Sequence, residues 1–202
     1  IRTLYSQFEK FPDDATVNRN APFHEAFLKA FPEKLEGMVQ SVRDLISLAS
    51  WMHGLNTSLG QSFLEQTAHI LCNGSKKAFT KKEKSNLKIS KAQRDIVHKI
   101  ITDLTNDNRK PNLDAEDREC NATSQTLEVE ADDFTVDVFF EDAENVICIE
   151  LKTVKPNKGI FKVEKAKVLE ATLALKNKYP NKRVKYFLGF PFDPLSETST
   201  GY

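Results

Sequence analysis

Apolar positions recur along this chain at two spacings, and the change from one to the other marks out its elements. Asn20 reads as a helix N-cap, with Pro22 near the first helical position and Phe23, Ala26, Phe27 and Phe31 on one stripe that Pro32 ends. Leu35, Met38, Val39, Val42, Leu45, Ile46 and Leu48 keep helical spacing as far as Trp51, with Gly54 as the stop. Ser58-Leu59-Gly60-Gln61 has the form of a capping box opening a further helix, apolar at Phe63, Leu64, Ala68, Ile70 and Leu71, which Asn73-Gly74 closes. Residues 75–89 are lysine-rich and read as a linker. Ser90 with Gln93 repeats the box before an amphipathic helix through Ile96, Val97, Ile100, Ile101 and Leu104. Residues 106–125, with Pro111, read as a long polar loop.

Beyond that loop the spacing becomes alternation. Thr126 to Ala131 is a predicted strand with Leu127 and Val129 inward, turned by Asp132-Asp133 into a second strand. There Val136, Val138 and Phe140 share one face and Asp137 takes the other. In the next strand Ile147, Ile149 and Leu151 oppose Glu150 and Lys152. The connection from Glu141 to Asn145 is short and polar, as in a hairpin. A four-residue loop sets Asp137 across from Glu150, and a five-residue loop shifts the pairing by one. A basic loop, Lys155-Pro156-Asn157-Lys158-Gly159, leads into a helix that carries Phe161, Ala166, Val168, Leu169, Leu173 and Leu175 to Tyr179. Pro180 ends it, and Val184 to Phe190 is an apolar strand. A helix crossing between the Glu150 and Val184 strands makes those two parallel.

Two carboxylates facing each other across adjacent strands repel, and strand formation gains nothing from them. A divalent cation removes that cost, and Mg2+ is commonly held by one or two carboxylates together with water and phosphate. Lys152 on the same face adds a cation able to steady charge on a phosphate under attack. A solvated sheet face is the plainer explanation of three charges. The apolar flanks argue instead for a strand buried on both sides, where such charges need a use.

Composition changes this picture through its distribution. The 202 residues carry no net charge. Residues 76–99 hold nine Lys/Arg against two acids and 152–185 hold eleven against two, whereas 103–150 hold fifteen acids against three basic residues. A basic surface beside an acidic site suits a polyanion gripped around bound metal. Cys72, Cys120 and Cys148 are odd in number and lack CxxC spacing, which points to reduced thiols, a cytoplasmic setting and no zinc site. No apolar run reaches the ~20 residues of a membrane span, and no signal peptide is legible in a chain that begins at Ile1. His24, His53, His69 and His98 are scattered without metal-ligand spacing, and no GxxxxGK[ST] loop is present for ATP-driven work.

Asp137, twelve intervening residues and then Glu150-Leu151-Lys152 resemble the motif of the PD-(D/E)xK nucleases, which include most type II restriction endonucleases. The order of elements over 58–190 resembles their common core. Val136 stands where the family name implies proline, a position without chemistry. The Ser-Leu-Gly-Gln segment and Glu-Leu-Lys-Thr-Val-Lys-Pro-Asn-Lys-Gly are similar to TdeIII-type restriction endonucleases. The resemblance implies an α/β (α+β) fold with a restriction-endonuclease-like core, a mixed central sheet flanked by helices. The whole of 1–202 would form a single nuclease domain, with 1–57 as a helical N-terminal elaboration and 58–190 as the catalytic core.

It further implies Mg2+ held by Asp137, Glu150 and the Leu151 carbonyl, with Glu65 on the preceding helix completing the catalytic group. Lys152 would orient or help deprotonate water, its pKa lowered by apolar surroundings. Lys155 and Lys158 would touch phosphates. The partner implied is double-stranded DNA, cut by a homodimer at a short palindromic site, GGNCC-like for the TdeIII type. Other readings are a junction-resolvase or transposase-like nuclease, a catalytically inert DNA-binding protein on this fold, and a helical interaction protein with an accidental motif.

Overall fold

The predicted hairpin is the spine of the sheet. The structure, a computed structural model, describes residues 26, 42–122, 127–152 and 157–191. The helix read from Asn20 to Phe31 (apart from Ala26), the Leu35–Val39 part of the next one, and Lys155 lie outside the described residues. The chain forms two compact units, 1–66 and 67–202.

The described part of the first unit is helical. Helix α1, Val42–Ser58, runs straight through Gly54 and is followed by a π-helical turn, Leu59–Leu64. Ser58 has helical backbone angles (φ −67°, ψ −37°) and its side chain makes no capping hydrogen bond, so the capping box expected there does not form. The preceding turn is already helical, and no helix start needs its amides satisfied. Helix α2, Glu65–Cys72, follows directly.

That helix stops where the sequence says it should. Asn73 adopts the left-handed conformation (φ 48°) and the Gly74 N–H returns to the His69 carbonyl at 3.0 Å. Gly74 then passes so close to the sheet that a Cβ would lie 2.7 Å from Val138 Cγ1 and 2.8 Å from the Phe139 carbonyl. Only glycine fits this crossing.

The second unit continues with β1 (Ser75–Phe79), β2 (Lys88–Ser90), α3 (Lys91–Thr105), α4 (Leu113–Asn121) and β3 (Glu128–Glu130). Then come β4 (Phe134–Glu141), β5 (Asn145–Leu151), α5 (Lys158–Lys178) and β6 (Arg183–Gly189). A four-stranded sheet has the order β1-β4-β5-β6. β1, β4 and β5 pair antiparallel, and β6 joins β5 in parallel after the α5 crossover. This is a mixed α/β architecture with a restriction-endonuclease-like core, as expected.

Three expectations need correction here. The 75–89 stretch is not a linker, because β1 supplies an edge of the sheet despite its lysines. Lys77 lays its ammonium 3.8 Å from the centre of the Phe139 ring, so a charged residue covers apolar surface there. The strand expected at 126–131 pairs with β2 in a separate two-stranded sheet, and Leu127 is 58% exposed rather than inward. The expected loop at 106–125 contains α4, capped by Asn112, whose Oδ1 accepts the Ala115 N–H at 2.9 Å.

The Ser90–Gln93 capping box forms in full, with bonds of 3.0 and 2.9 Å in the two directions. Phe79, Ile89, Val97, Ile100, Val146, Cys148, Leu173 and Leu175 pack between sheet and helices as one core. Among the described residues no helix is long and apolar enough to cross a membrane.

Candidate active site

The hairpin closes through Asp142-Ala143-Glu144, with Asp142 Oδ1 accepting the N–H groups of Glu144 (2.8 Å) and Asn145 (2.6 Å). Glu141 pairs with Val146 and Val138 with Ile149, the register of the four-residue loop. One more step would oppose Asp137 to Glu150. The ladder stops before it, and the Leu151 N–H donates to Asp137 Oδ2 at 2.9 Å. Thus Asp137 reaches the middle residue of Glu-Leu-Lys through its side chain.

A bulge aims it there. Between their pairs Ser75–Phe139 and Lys77–Val136, β1 takes two steps and β4 three, so β4 carries an extra residue at Asp137–Val138. Val136 and Phe139 consequently join the same core despite their odd spacing, which corrects the expected face of Val136, Val138 and Phe140. His69 of α2 ties down the bulged backbone, its Nε2–H donating to the Asp137 carbonyl at 2.6 Å. Lys76 Nζ stands 3.7 Å from Asp137 Oδ1.

Glu150 follows Val146 and Cys148 onto the buried side of β5 and is only 8% exposed, which rules out a solvated sheet face. Its Oε1 accepts from Lys152 Nζ at 2.9 Å and its Oε2 from Lys167 Nζ of α5 at 2.7 Å. Lys152 also pairs with Glu164 Oε1 of α5 at 2.8 Å. Two carboxylates and two ammoniums thus alternate between β5 and the crossover helix, so that their mutual attraction offsets the desolvation cost of burying them. Glu164 Oε2 is buried without a hydrogen-bond partner, and Lys167 Nζ stands 3.9 Å from it.

Burial pulls the pKa of Lys152 down, but hydrogen bonds to Glu164 and Glu150 outweigh burial and raise it above the ordinary 10.5. The expectation that apolar surroundings would lower it is therefore overturned, because the surroundings include two carboxylates. As placed, Lys152 is a fixed cation rather than a base.

The remaining expected residues are placed as follows. Leu151 ends β5, and Lys158 opens α5 on an exposed turn. Glu65 is the half-buried first residue of α2 and belongs to the first unit, whereas Asp137, Glu150 and Lys152 belong to the second. Sequence reasoning missed Glu164, Lys167 and His69. The signal for the first two was a stripe: Glu164, Lys167, Ala171 and Ala174 fall at i, i+3, i+7 and i+10, so the charges share a line with small buried residues.

Asp137, Glu150 and a backbone carbonyl offer hard oxygen donors without thiolate or imidazole, which suits Mg2+. Glu150 is a buried carboxylate flanked by two lysines, and Glu164 Oε2 beside it has no hydrogen-bond donor, so oxygen acceptor capacity remains here. No group of three or more His, Cys, Asp and Glu gathers around a common point among the described residues. Mg2+ does not require one, since water and phosphate complete its shell.

A mixed sheet with a helix crossing between its two parallel strands has the form of a restriction-endonuclease-like core, and here Asp137 lies on β4, Glu150 on the neighbouring β5 and Lys152 just past its end. The chain belongs to the family described as Type II restriction endonuclease, HinfI, whose model matches residues 1–200. It is also similar to the type II restriction enzyme MjaII of Methanocaldococcus jannaschii, with 44% identity over 208 residues. That alignment covers 100% of this chain and 55% of the relative, so the chain spans about half the length of the curated relative it matches. No solved structure matches the chain. The match is to the HinfI description, and the TdeIII-type subfamily draws no support from these comparisons.

Proposed function

We propose that the chain is a Mg2+-dependent, site-specific deoxyribonuclease of PD-(D/E)xK type, hydrolysing phosphodiester bonds of double-stranded DNA at a short palindromic site. Family membership supports the class of activity. The observation that carries the assignment of the site is the hydrogen bond from the Leu151 N–H to the Asp137 carboxylate, which joins the two halves of the motif.

In this reading Asp137, Glu150 and the Leu151 carbonyl hold the ion, and Glu65 completes the catalytic group. Mg2+ bound there supplies Lewis acidity toward a phosphoryl oxygen. Lys152 orients the attacking water and sets its positive charge against the charge that builds on the phosphate, as electrostatic catalysis requires. Glu164 and Lys167 hold Lys152 and Glu150 in place, and His69 holds the backbone of Asp137. Lys158, with Lys155 beside it in sequence, meets the DNA backbone and gives affinity without reading bases.

The enzyme acts as a homodimer, since a two-fold protein matches a palindrome. Its catalytic core would be 58–190, with 1–57 as an N-terminal elaboration of a single nuclease domain. Incubating the protein with plasmid DNA, with and without Mg2+, and sequencing the ends tests this reading. Defined ends at one repeated sequence are expected, and a GGNCC-like site would restore the TdeIII-type subfamily. Cutting only at branched DNA would favour a resolvase, and no cleavage of any DNA would sink the proposal.

A further inference from the structure

We propose that a cationic cavity on the far side of α5 seats the sugar-phosphate backbone of the DNA duplex; this rests on the nuclease reading above. The cavity, about 590 Å³, lies between the end of α3, the 106–112 connection and the first turns of α5. Five cations line it, Arg109, Lys110, Lys158, Lys162 and Lys165, against the single acid Asp107. Lys165 is paired with Glu116, a carboxylate with no exposed surface, and Arg109 with Glu119 at 3.0 Å. Lys110, Lys158 and Lys162 are exposed and pair with no carboxylate among the described residues.

Like charges gathered in a concavity repel, and no ion pair among the described residues offsets those of Lys110, Lys158 and Lys162. A polyanion does. Lys158, Lys162 and Lys165 fall within about 60° of one another around α5, at about 100° per residue. Glu164 and Lys167, which serve the Glu150 side, lie roughly 100° or more away on the same helix. One helix therefore forms a wall of both the acidic site and the cationic cavity. A helix is about 10 Å across, the axial span of roughly three base pairs, so one duplex strand can reach both sides. The apolar floor of Ile101, Leu104 and Phe161 gives these lysine stems a surface to lie on.

The test is the salt dependence of duplex binding by the full chain in EDTA, where cleavage does not interfere. Lys110→Gln with Lys162→Gln should weaken binding and reduce the slope of log K against log[salt] by about 1.8, at roughly 0.9 for each phosphate no longer neutralised. Lys91→Gln with Lys99→Gln, exposed lysines already paired with Asp95 and Asp103, is the control and should leave the slope unchanged. An unchanged slope in the cavity variant, with duplex still bound and plasmid still cut in Mg2+, overturns this inference and leaves the nuclease reading intact. Inorganic pyrophosphate bound by wild type but not by the cavity variant, with no change in slope, would make the cavity a small-anion site and also overturn it. Failure of the wild-type chain to bind any duplex would overturn both readings.

Discussion

Asp137 carries two separable loads, and two substitutions tell them apart. Its carboxylate accepts the Leu151 N–H at 2.9 Å with a side chain 21% exposed. A hydrogen bond to a charged acceptor contributes about 1.5–3 kcal/mol when buried. With this partial exposure, Asp137→Ala should cost about 2 kcal/mol, or roughly 4–8 °C in Tm for a chain of this size. Asp137→Asn keeps a neutral acceptor, so about 1 kcal/mol of that should survive. The His69 bond to the Asp137 carbonyl is indifferent to both changes. Loss of a metal-holding carboxylate removes several kcal/mol of charge stabilisation. At about 1.36 kcal/mol per tenfold, both variants should lose about 10²–10⁴ in cleavage rate. Thermal melting by circular dichroism and Mg2+-dependent plasmid cleavage read the two loads. An Asn variant as unstable as the Ala variant refutes the hydrogen-bond account, and one that cuts DNA within tenfold of wild type refutes the ligand role.

Further outcomes follow from the same geometry. Lys152→Ala should lower the cleavage rate by several orders of magnitude while duplex affinity changes little; near-normal turnover would remove its role. Burial pushes the thiols of Cys120 and Cys148 up to about 11 and about 12, so neither should react with a thiol reagent at about pH 8 in the native protein, while Cys72 should. Asp142 is held below its ordinary 3.8 by the Glu144 N–H and then by the Asn145 side chain and N–H. A depressed carboxyl contributes stability that is present above 3.8 and lost as pH falls through the folded-state value. The Tm gap between wild type and Asp142→Ala should therefore shrink below about pH 4, and a constant gap in melts from about pH 5 to about pH 3 would count against the hairpin account.

Much of the site was legible because its signals are local. Alternation located β4 and β5, the polar Glu141–Asn145 segment located their turn, and the Ser90–Gln93 box located the start of α3. The hidden parts depend on tertiary partners. β1 looks like a linker until Lys77 is seen over Phe139, and α4 is a nine-residue, strongly charged helix without an apolar stripe. Ser58 carries a capping signature at a point where the chain is already helical. The burial of Glu150 was foreshadowed by its apolar flanks, but Lys167, which pairs with it, and Glu164, which pairs with Lys152, come from the crossover helix. Sequence spacing alone does not show which strand a helix stripe will cover. The Asp137 bulge was equally silent, since one extra residue leaves no mark until the neighbouring strand is counted.

The central claim is that Asp137 and Glu150 share one divalent cation beside Lys152. A crystal structure with a bound duplex and Ca2+, which occupies such sites without supporting turnover, tests it most directly. The expected result is a cation within about 2.3–2.6 Å of an oxygen from each carboxylate, with a DNA phosphate completing its shell. A cation bound elsewhere, or one that leaves either carboxylate out of reach, would contradict it.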